Sequence, residues 1–384
     1  MAVNVEKPHE AVNLKEQSKD APGAKEVKKP SKEPAKEDKT SKDRLPAIND
    51  SVKTETQRLF KLNAIIGEGG YGTVYECTAN GGDVRKKMAC KAEKWSKTVL
   101  KIEISVLRAA NAKRCKHFCE LIDYGRVPSE YMFIILTLLD RDINRLRNEQ
   151  SERHFSLGTA ARIGMQTCSA IEELHALGFL SRDIKAGNFG IGRREDNCHR
   201  LVFMFDFGLS RKFVDKNRNV IPPRKDIGWR GTTRYGSLQA HRKQDLGRRD
   251  DMESWLYMLI EITKGHLPWR MVTDRNKVYE CKLACREDFR PALLGSLPKQ
   301  FDEMMSMIDK LSFEATPHYS DYVKMLMQVC EDNNIEMTQP YDWEVEPSPS
   351  SVHTSATKSV DNSGSEILKA NNVERPSHPE IVKD

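Results

Sequence analysis

One stretch constrains this chain more than any other: Ser181-Arg182-Asp183-Ile184-Lys185-Ala186-Gly187-Asn188-Phe189, followed downstream by Asp206-Phe207-Gly208. Two acids, an amide and a lysine stand at a spacing that suits one reaction class. Phosphoryl transfer from ATP needs a carboxylate to orient the attacking hydroxyl, oxygen ligands for Mg²⁺ and a cation near the γ-phosphate. Asp183 is the candidate base, Lys185 the cation, and Asn188 and Asp206 the metal ligands. Asp-Phe-Gly alone is more often a turn than a metal site, so the setting of the two parts carries the weight. A helical period runs from Ala160 to Leu177, with Ile163, Ala170, Ile171 and Leu174 apolar. The run Leu201-Val202-Phe203-Met204-Phe205 reads as a buried strand ahead of the second part.

Upstream, Gly67, Gly69 and Gly72 form a G-x-G-x-x-G pattern. Glycines that open a helix would suit a dinucleotide fold. Here Thr73-Val74-Tyr75-Glu76-Cys77-Thr78 follows, β-branched and aromatic, so the loop is expected to join two strands. A glycine hairpin lets backbone N–H groups approach phosphates; a hairpin with no ligand is the plainer alternative. Met88-Ala89-Cys90-Lys91-Ala92-Glu93 then places a lysine in a short apolar strand. Val99 to Leu107 has helical periodicity, with Glu103 near its apolar face. A buried Lys91–Glu103 pair would aim the ammonium at the α- and β-phosphates, whereas separate side chains would snorkel to solvent.

The 384 residues suffice for a two-lobed unit with tails. Phe60 to Leu139 is mostly strand-like and Asp140 to Glu336 mostly helical, which predicts an α+β chain in two lobes. Residues 1–52 are polar, charge-balanced and free of aromatics, and are expected to be disordered. The folded unit is expected over 53–336, with lobes of about 58–139 and 140–336. A Ser/Thr-rich disordered tail is expected over 337–384. Net charge is +6 with 31% charged residues, too small a basic excess to make nucleic acid the main partner. The apolar run Phe133 to Leu139 is too short to span a bilayer, and Ala2 speaks against myristoylation, so no membrane partner is expected. Nine scattered cysteines read as reduced thiols in the cytosol or nucleus. Lys28-Lys29-Pro30-Ser31-Lys32 reads as a solvated charge run, with a nuclear signal as the alternative. A monomer is expected.

The order of glycine loop, Lys91, Glu103, Asp183, Asn188 and Asp206 resembles the eukaryotic protein kinase family over about Arg58 to Asn333. The resemblance implies a bilobal kinase fold: a small, mainly β N-lobe with one key helix and a larger, mainly α C-lobe. It implies ATP and Mg²⁺, with Mn²⁺ as an alternative metal, between the lobes. Lys185 resembles the Ser/Thr-specific kinases. Gly231 to His241, Arg249 to Trp255 and Leu267-Pro268-Trp269 resemble the casein kinase I group. Pro222-Pro223-Arg224, Gly228-Trp229-Arg230-Gly231 and Leu267 to Arg270 look most like tau-tubulin kinases, in a divergent, nematode-type form. The resemblance then assigns roles. Gly67, Gly69, Gly72 and Val74 would cover the nucleotide, Lys91 held by Glu103 would bind α/β-phosphates, and Leu136 to Leu139 would meet adenine. Asp183 and Lys185 would be catalytic, Asn188 and Asp206 would hold Mg²⁺, and Asp251 would anchor the catalytic loop from below.

Two positions depart from the pattern. Ser181 stands where the family usually has His, which predicts looser packing beneath Phe207, and Gly187 stands where the group usually has a side chain. The acids and lysines are intact, so an active Ser/Thr protein kinase is expected, with a catalytically silent kinase-fold scaffold as the alternative. The segment Lys212 to Arg230 suits a peptide-docking surface better than a small-molecule site. Arg224, Lys225, Arg230 and Arg234 are expected to line a substrate anion pocket. That favours protein substrates with acidic or phosphorylated flanks, unless Asp226, Asp245 or Asp250 neutralise them. The Ser/Thr-rich tail is a candidate for autophosphorylation and occupation of that groove.

Overall fold

A computed structural model describes residues 42–345, Val84 and Asp226 excepted. The N-lobe is one antiparallel sheet of six strands: β1 (Ser51–Lys53), β2 (Leu59–Glu68), β3 (Gly72–Ala79), β4 (Met88–Lys94), β5 (Leu121–Val127) and β6 (Tyr131–Thr137). Their order is β1-β2-β3-β4-β6-β5. Alternation decides which face is covered: Phe60, Leu62, Tyr75, Cys77, Cys90, Ala92, Phe133 and Ile135 form one buried layer. The other face receives α1 (Leu100–Lys113) through Leu100, Ile104, Val106 and Leu107. Residues beyond Arg114 cannot continue the helix, because Arg114 takes a left-handed conformation with φ 53° that closes it.

The C-lobe is helical, as the apolar periods require. Its elements in chain order are α2 (Ile143–Glu149), α3 (Leu157–Ala176), β7 (Phe179–Leu180), β8 (Phe189–Ile191), β9 (Val202–Met204), β10 (Arg211–Lys212), α4 (Leu238–His241), α5 (Arg248–Lys264), α6 (Arg275–Ala284), α7 (Arg290–Leu294), α8 (Lys299–Asp309) and α9 (Tyr319–Asp332). Helix α3 is central and packs against α5 and α9. Two short ribbons, β8 with β9 and β7 with β10, lie at its end nearest the N-lobe and carry the loops of the site. No helix among the described residues is long and apolar enough to cross a membrane.

The packed unit is longer at both ends than the expected 53–336. Before β1, Asp43 accepts hydrogen bonds from Ser96 N and Oγ at 2.8 and 2.5 Å. Pro46 O accepts one from the Tyr75 hydroxyl at 2.6 Å. After α9, the Arg162 guanidinium donates to the carbonyls of Met337, Gln339 and Pro340. It also lies 4.0 Å from the centre of the Tyr341 ring. Asp342 accepts from Ser156 N at 2.7 Å, Ser156 Oγ at 2.6 Å and Thr159 Oγ1 at 2.7 Å, placing a carboxylate at the positive end of α3. These segments have no helical or strand period of their own, and Leu45, Tyr341 and Trp343 pack them onto buried partners elsewhere in the fold. The rest of the expected tails, 1–41 and 346–384, lies outside the described residues, as do the lysine cluster at 28–32 and the tail serines.

Replacing Asp342 with Ala should lower stability by about 2 kcal/mol, the upper end for a lost helix cap. A urea titration would show a lower midpoint at unchanged slope.

Candidate active site

The glycine loop joins β2 to β3 as a hairpin, closed by Gly69 N on Gly72 O at 2.9 Å. A Cβ on Gly69 would meet nothing within 4 Å, whereas one on Gly72 would fall 1.9 Å from Ala92 O. Gly72 is thus demanded by the close approach of β4, while Gly69 leaves open backbone over the cleft below. The cleft has a volume of about 740 Å³; Gly67, Gly69, Gly72 and Val74 roof it, and Lys91, Asp183, Lys185 and Asp206 line it.

Lys91 projects from β4 opposite Val74. Its Nζ donates to Glu103 Oε2 at 2.7 Å and to Asp206 Oδ1 at 3.1 Å. Burial opposes its charge, but Glu103 and Asp206 outweigh this and hold its pKa above the usual lysine range. Asp206 is likewise opposed by burial, yet Lys91 and Lys185 keep its carboxyl below the usual range. The Lys91–Glu103 contact expected from the sequence is made, at 2.7 Å, although burial raises the Glu103 carboxyl above the usual range.

The catalytic loop hangs from α5. Asp251 accepts hydrogen bonds from Ser181 N at 2.8 Å and Arg182 N at 2.9 Å. Arg182 sits at φ 65°, a conformation its neighbours must enforce. Lys185 Nζ donates to Asp183 Oδ2 at 2.7 Å. Thr232 donates its N–H and its hydroxyl to Asp183 Oδ1 at 3.0 and 2.9 Å. This approach needs Gly231, whose φ is 83° and where a Cβ would lie 2.5 Å from Arg182 O. Asn188 Nδ2 donates to Asp183 O at 2.9 Å. Its side-chain oxygen is left over as an acceptor. With the Asp206 carboxylate this gives two hard oxygen donors, a set that suits Mg²⁺, which keeps waters and phosphate oxygens as its other ligands. Among the described residues no group of three His, Cys, Asp or Glu side chains is gathered to cage a metal without them.

Two other expectations change. Leu136 packs into the core opposite Ala89, 8% exposed, and Leu139 is half-buried in the segment leaving β6. Neither is on the wall of the 740 Å³ cleft, since packing between β4 and β6 takes Leu136. Ser181 is buried, and Phe207 is not loosely packed: it is fully buried and stacked on Phe118 at 5.3 Å between ring centres.

The cationic residues are arranged differently from the expected pocket. Arg224 and Arg211 share the Asp245 carboxylate, at 3.1 and 2.5 Å. Arg234 pairs with Glu261 at 3.0 Å, and Arg147 reaches the same carboxylate at 3.2 Å. Arg230 and Lys225 are exposed. Arg182 and Arg211, which the sequence reading left out, join the group. Burial, then repulsion from Arg230, Arg211 and Arg224, pushes the Arg182 guanidinium down to about 10. Two arginines on one acid leave positive charge over, so neutralisation is partial. Arg182 adjoins Asp183 and Arg211 follows Asp-Phe-Gly by three residues, a signal available in sequence but swamped by their proximity to the catalytic motifs.

The family profile described as protein kinase domain matches residues 60–383. The chain belongs to the protein kinase family. Members of that family use ATP and a divalent metal, which the oxygen donors and the open glycine loop of this kinase fit. It is 36% identical over 290 residues to the serine/threonine-protein kinase spe-6 of Caenorhabditis elegans, covering 74% of this chain and 75% of that one. It is 29% identical to casein kinase I homolog 1 of Saccharomyces cerevisiae, covering 74% of this chain and 53% of that one. A relative in Dictyostelium discoideum, named "Probable serine/threonine-protein kinase", is 35% identical over 73% of this chain, which spans only 55% of its length. The kinase is thus of the casein kinase I-like type that its Gly231–His241 segment resembles.

The Asp245 triad sets a pH dependence. Burial opposes the Asp245 charge, but Arg224 and Arg211 hold its carboxyl far below the usual range in the folded state. A depressed folded pKa adds stability above the unfolded value, near 4, and loses it as pH falls further. Urea midpoints measured from pH 6 down to pH 2 should therefore fall less steeply for Asp245→Asn than for the native chain.

Proposed function

We propose that this kinase is catalytically active and transfers the γ-phosphate of ATP to Ser or Thr hydroxyls of proteins. The observation that carries this reading is the assembled Lys91–Glu103–Asp206 cluster across the cleft from Asp183 and Lys185. A silent fold has no need to hold a charged lysine between two carboxylates at the mouth of a nucleotide-sized cleft. In this reading Asp183 orients the incoming hydroxyl, with Thr232 fixing its other oxygen. Lys185 bridges Asp183 and the γ-phosphate, Lys91 holds the α- and β-phosphates, and Asn188 and Asp206 hold the metal. Mg²⁺, when bound, neutralises charge on the phosphates. The expected weakness at Ser181 finds no support in the packing of Phe207, which has Phe118 as its partner.

The preferred substrates carry acidic or phosphorylated flanks. What supports this is the surplus of guanidinium around Arg182, Arg211, Arg224 and Arg230 next to the catalytic loop, whose mutual repulsion adds to burial in lowering the Arg182 guanidinium. An incoming anion would relieve that repulsion. Arg230 and Lys225 are the exposed members available to reach it.

Purified chain with Mg-ATP and casein should incorporate phosphate, and Asp183→Asn should lower the rate by about a hundredfold to ten-thousandfold. Equal incorporation by both proteins would refute the assignment. In a peptide array, Arg230→Ala should lose preference for acidic and phosphorylated flanks; an array in which the native chain has no such preference sinks the substrate reading.

A further inference from the structure

Strand β4 carries a second carboxylate that the motifs do not single out. Glu93 follows Lys91 by two residues, so both side chains leave the same face of the strand. It is 2% exposed. Its Oε2 accepts a hydrogen bond from Val99 N at 2.8 Å, and its Oε1 lies 3.7 Å from Lys91 Nζ. One carboxylate therefore touches both the phosphate-binding lysine and the start of α1.

Helix α1 needs such a partner. Its first amides have no acceptor within the helix, and Val99, at the capping position, has no side-chain oxygen to offer them. Thr98 Oγ1 takes Leu100 N at 3.2 Å, and Glu93 takes Val99 N. A carboxylate here also meets the positive end of the helix dipole. Glu103 lies in the first turn of the same helix, so the height of α1 against β4 decides whether it reaches Lys91. Val99 also touches Asp-Phe-Gly: a Cβ on Gly208 would come 2.7 Å from its Cγ2. A shift of the helix start would thus disturb Lys91, Glu103 and the metal-binding segment together.

We propose that Glu93 is a positioning residue that caps α1 from β4 and so keeps Glu103 on Lys91, in the phosphoryl transfer on which this inference rests. The alternative role, a third negative charge beside Lys91 with no part in the helix, makes a different forecast. Glutamine keeps an oxygen for Val99 N–H but removes the charge; alanine removes both.

The test uses the full chain with Mg-ATP and casein, and hydrogen exchange of the Val99–Glu103 amides. Glu93→Ala should expose those amides and lower kcat/KM for ATP by about tenfold to a hundredfold, as small misplacements in a site do. Glu93→Gln should keep them protected and stay within about threefold of the native rate. Unchanged exchange in Glu93→Ala overturns the proposal. So does a Glu93→Gln protein as slow as Glu93→Ala, which would give the effect to charge alone. Should Glu93→Ala not fold, exposed amides in Glu93→Gln overturn it and protected ones uphold it. A native chain no more active than Asp183→Asn would sink the kinase reading, and the exchange measurement would still decide the cap.

Discussion

The cleft rests on one buried carboxylate. Asp251, at the start of α5 and 2% exposed, holds the amides of Ser181 and Arg182 on its two oxygens. Two further groups face it there. The positive end of α5 faces it, and His175 Nε2 lies 2.9 Å from its Oδ2. The Tyr319 hydroxyl engages His175 Nδ1 at 2.6 Å, so the imidazole cannot turn away. Arg182 in its left-handed conformation would cost roughly 1–3 kcal/mol if left to itself. Asp251 offsets that cost, and the turn it enforces is what aims Asp183 into the cleft. The aim of the base is therefore set from below, by groups that never touch a substrate.

Across the cleft the balance of charge is uneven. Three carboxylates, Glu103, Asp183 and Asp206, stand against two ammonium groups, Lys91 and Lys185. That surplus of negative charge is what a divalent cation needs, and the cation in turn makes the site tolerable for a polyphosphate. The Lys91–Asp206 contact also ties a strand of the N-lobe to a loop of the C-lobe. Domain closure and charge balance are thus one problem with one solution, and helix α1 belongs to it because Glu103 completes the lysine's coordination.

Sequence reading recovers the parts of this arrangement that are local. The hairpin around Gly69, the strand of Lys91, the helix of Glu103 and the Asp183–Asn188 loop each announce themselves through periodicity and spacing within about ten residues. What it misreads depends on distant partners. Asp245 is among the acids the sequence offers as a partner, and it meets Arg224, but Glu261, the partner of Arg234, comes back from a distant helix that sequence does not point to. The segments 43–50 and 337–345 look like tail because they are short and have no strand or helix period of their own. Tyr75, Ser96, Arg162 and Ser156, far away in sequence, supply the contacts that order them. The kinase resemblance places Leu136 beside adenine, yet its pairing with Ala89 in β4 sets it in the core. Ser181 looks like a defect when its motif is read alone, and the ring of Phe118 that compensates is more than sixty residues upstream.

The segment from Trp229 to Gly236 is ordered by contacts made within the C-lobe. Three carbonyls there are held from beneath: Lys282 Nζ donates to Thr233 O at 3.0 Å and to Gly236 O at 2.6 Å, and Trp269 Nε1 donates to Arg234 O at 2.8 Å. Lys282 is fully buried, with His241 Nε2 3.2 Å away and the rings of Tyr257 and Trp269 within 5.3 Å. Burial pushes the Lys282 amine down to about 7; when protonated it has three protons to give and finds three acceptors and two aromatic faces here. Above it, Trp229 donates to Gly231 O at 2.9 Å and lies between His241 and Arg275. A phosphate on an activation segment works by recruiting cations that order the chain. In this kinase a buried lysine and two indoles already supply that order. Thr232 is then free to spend its hydroxyl on Asp183.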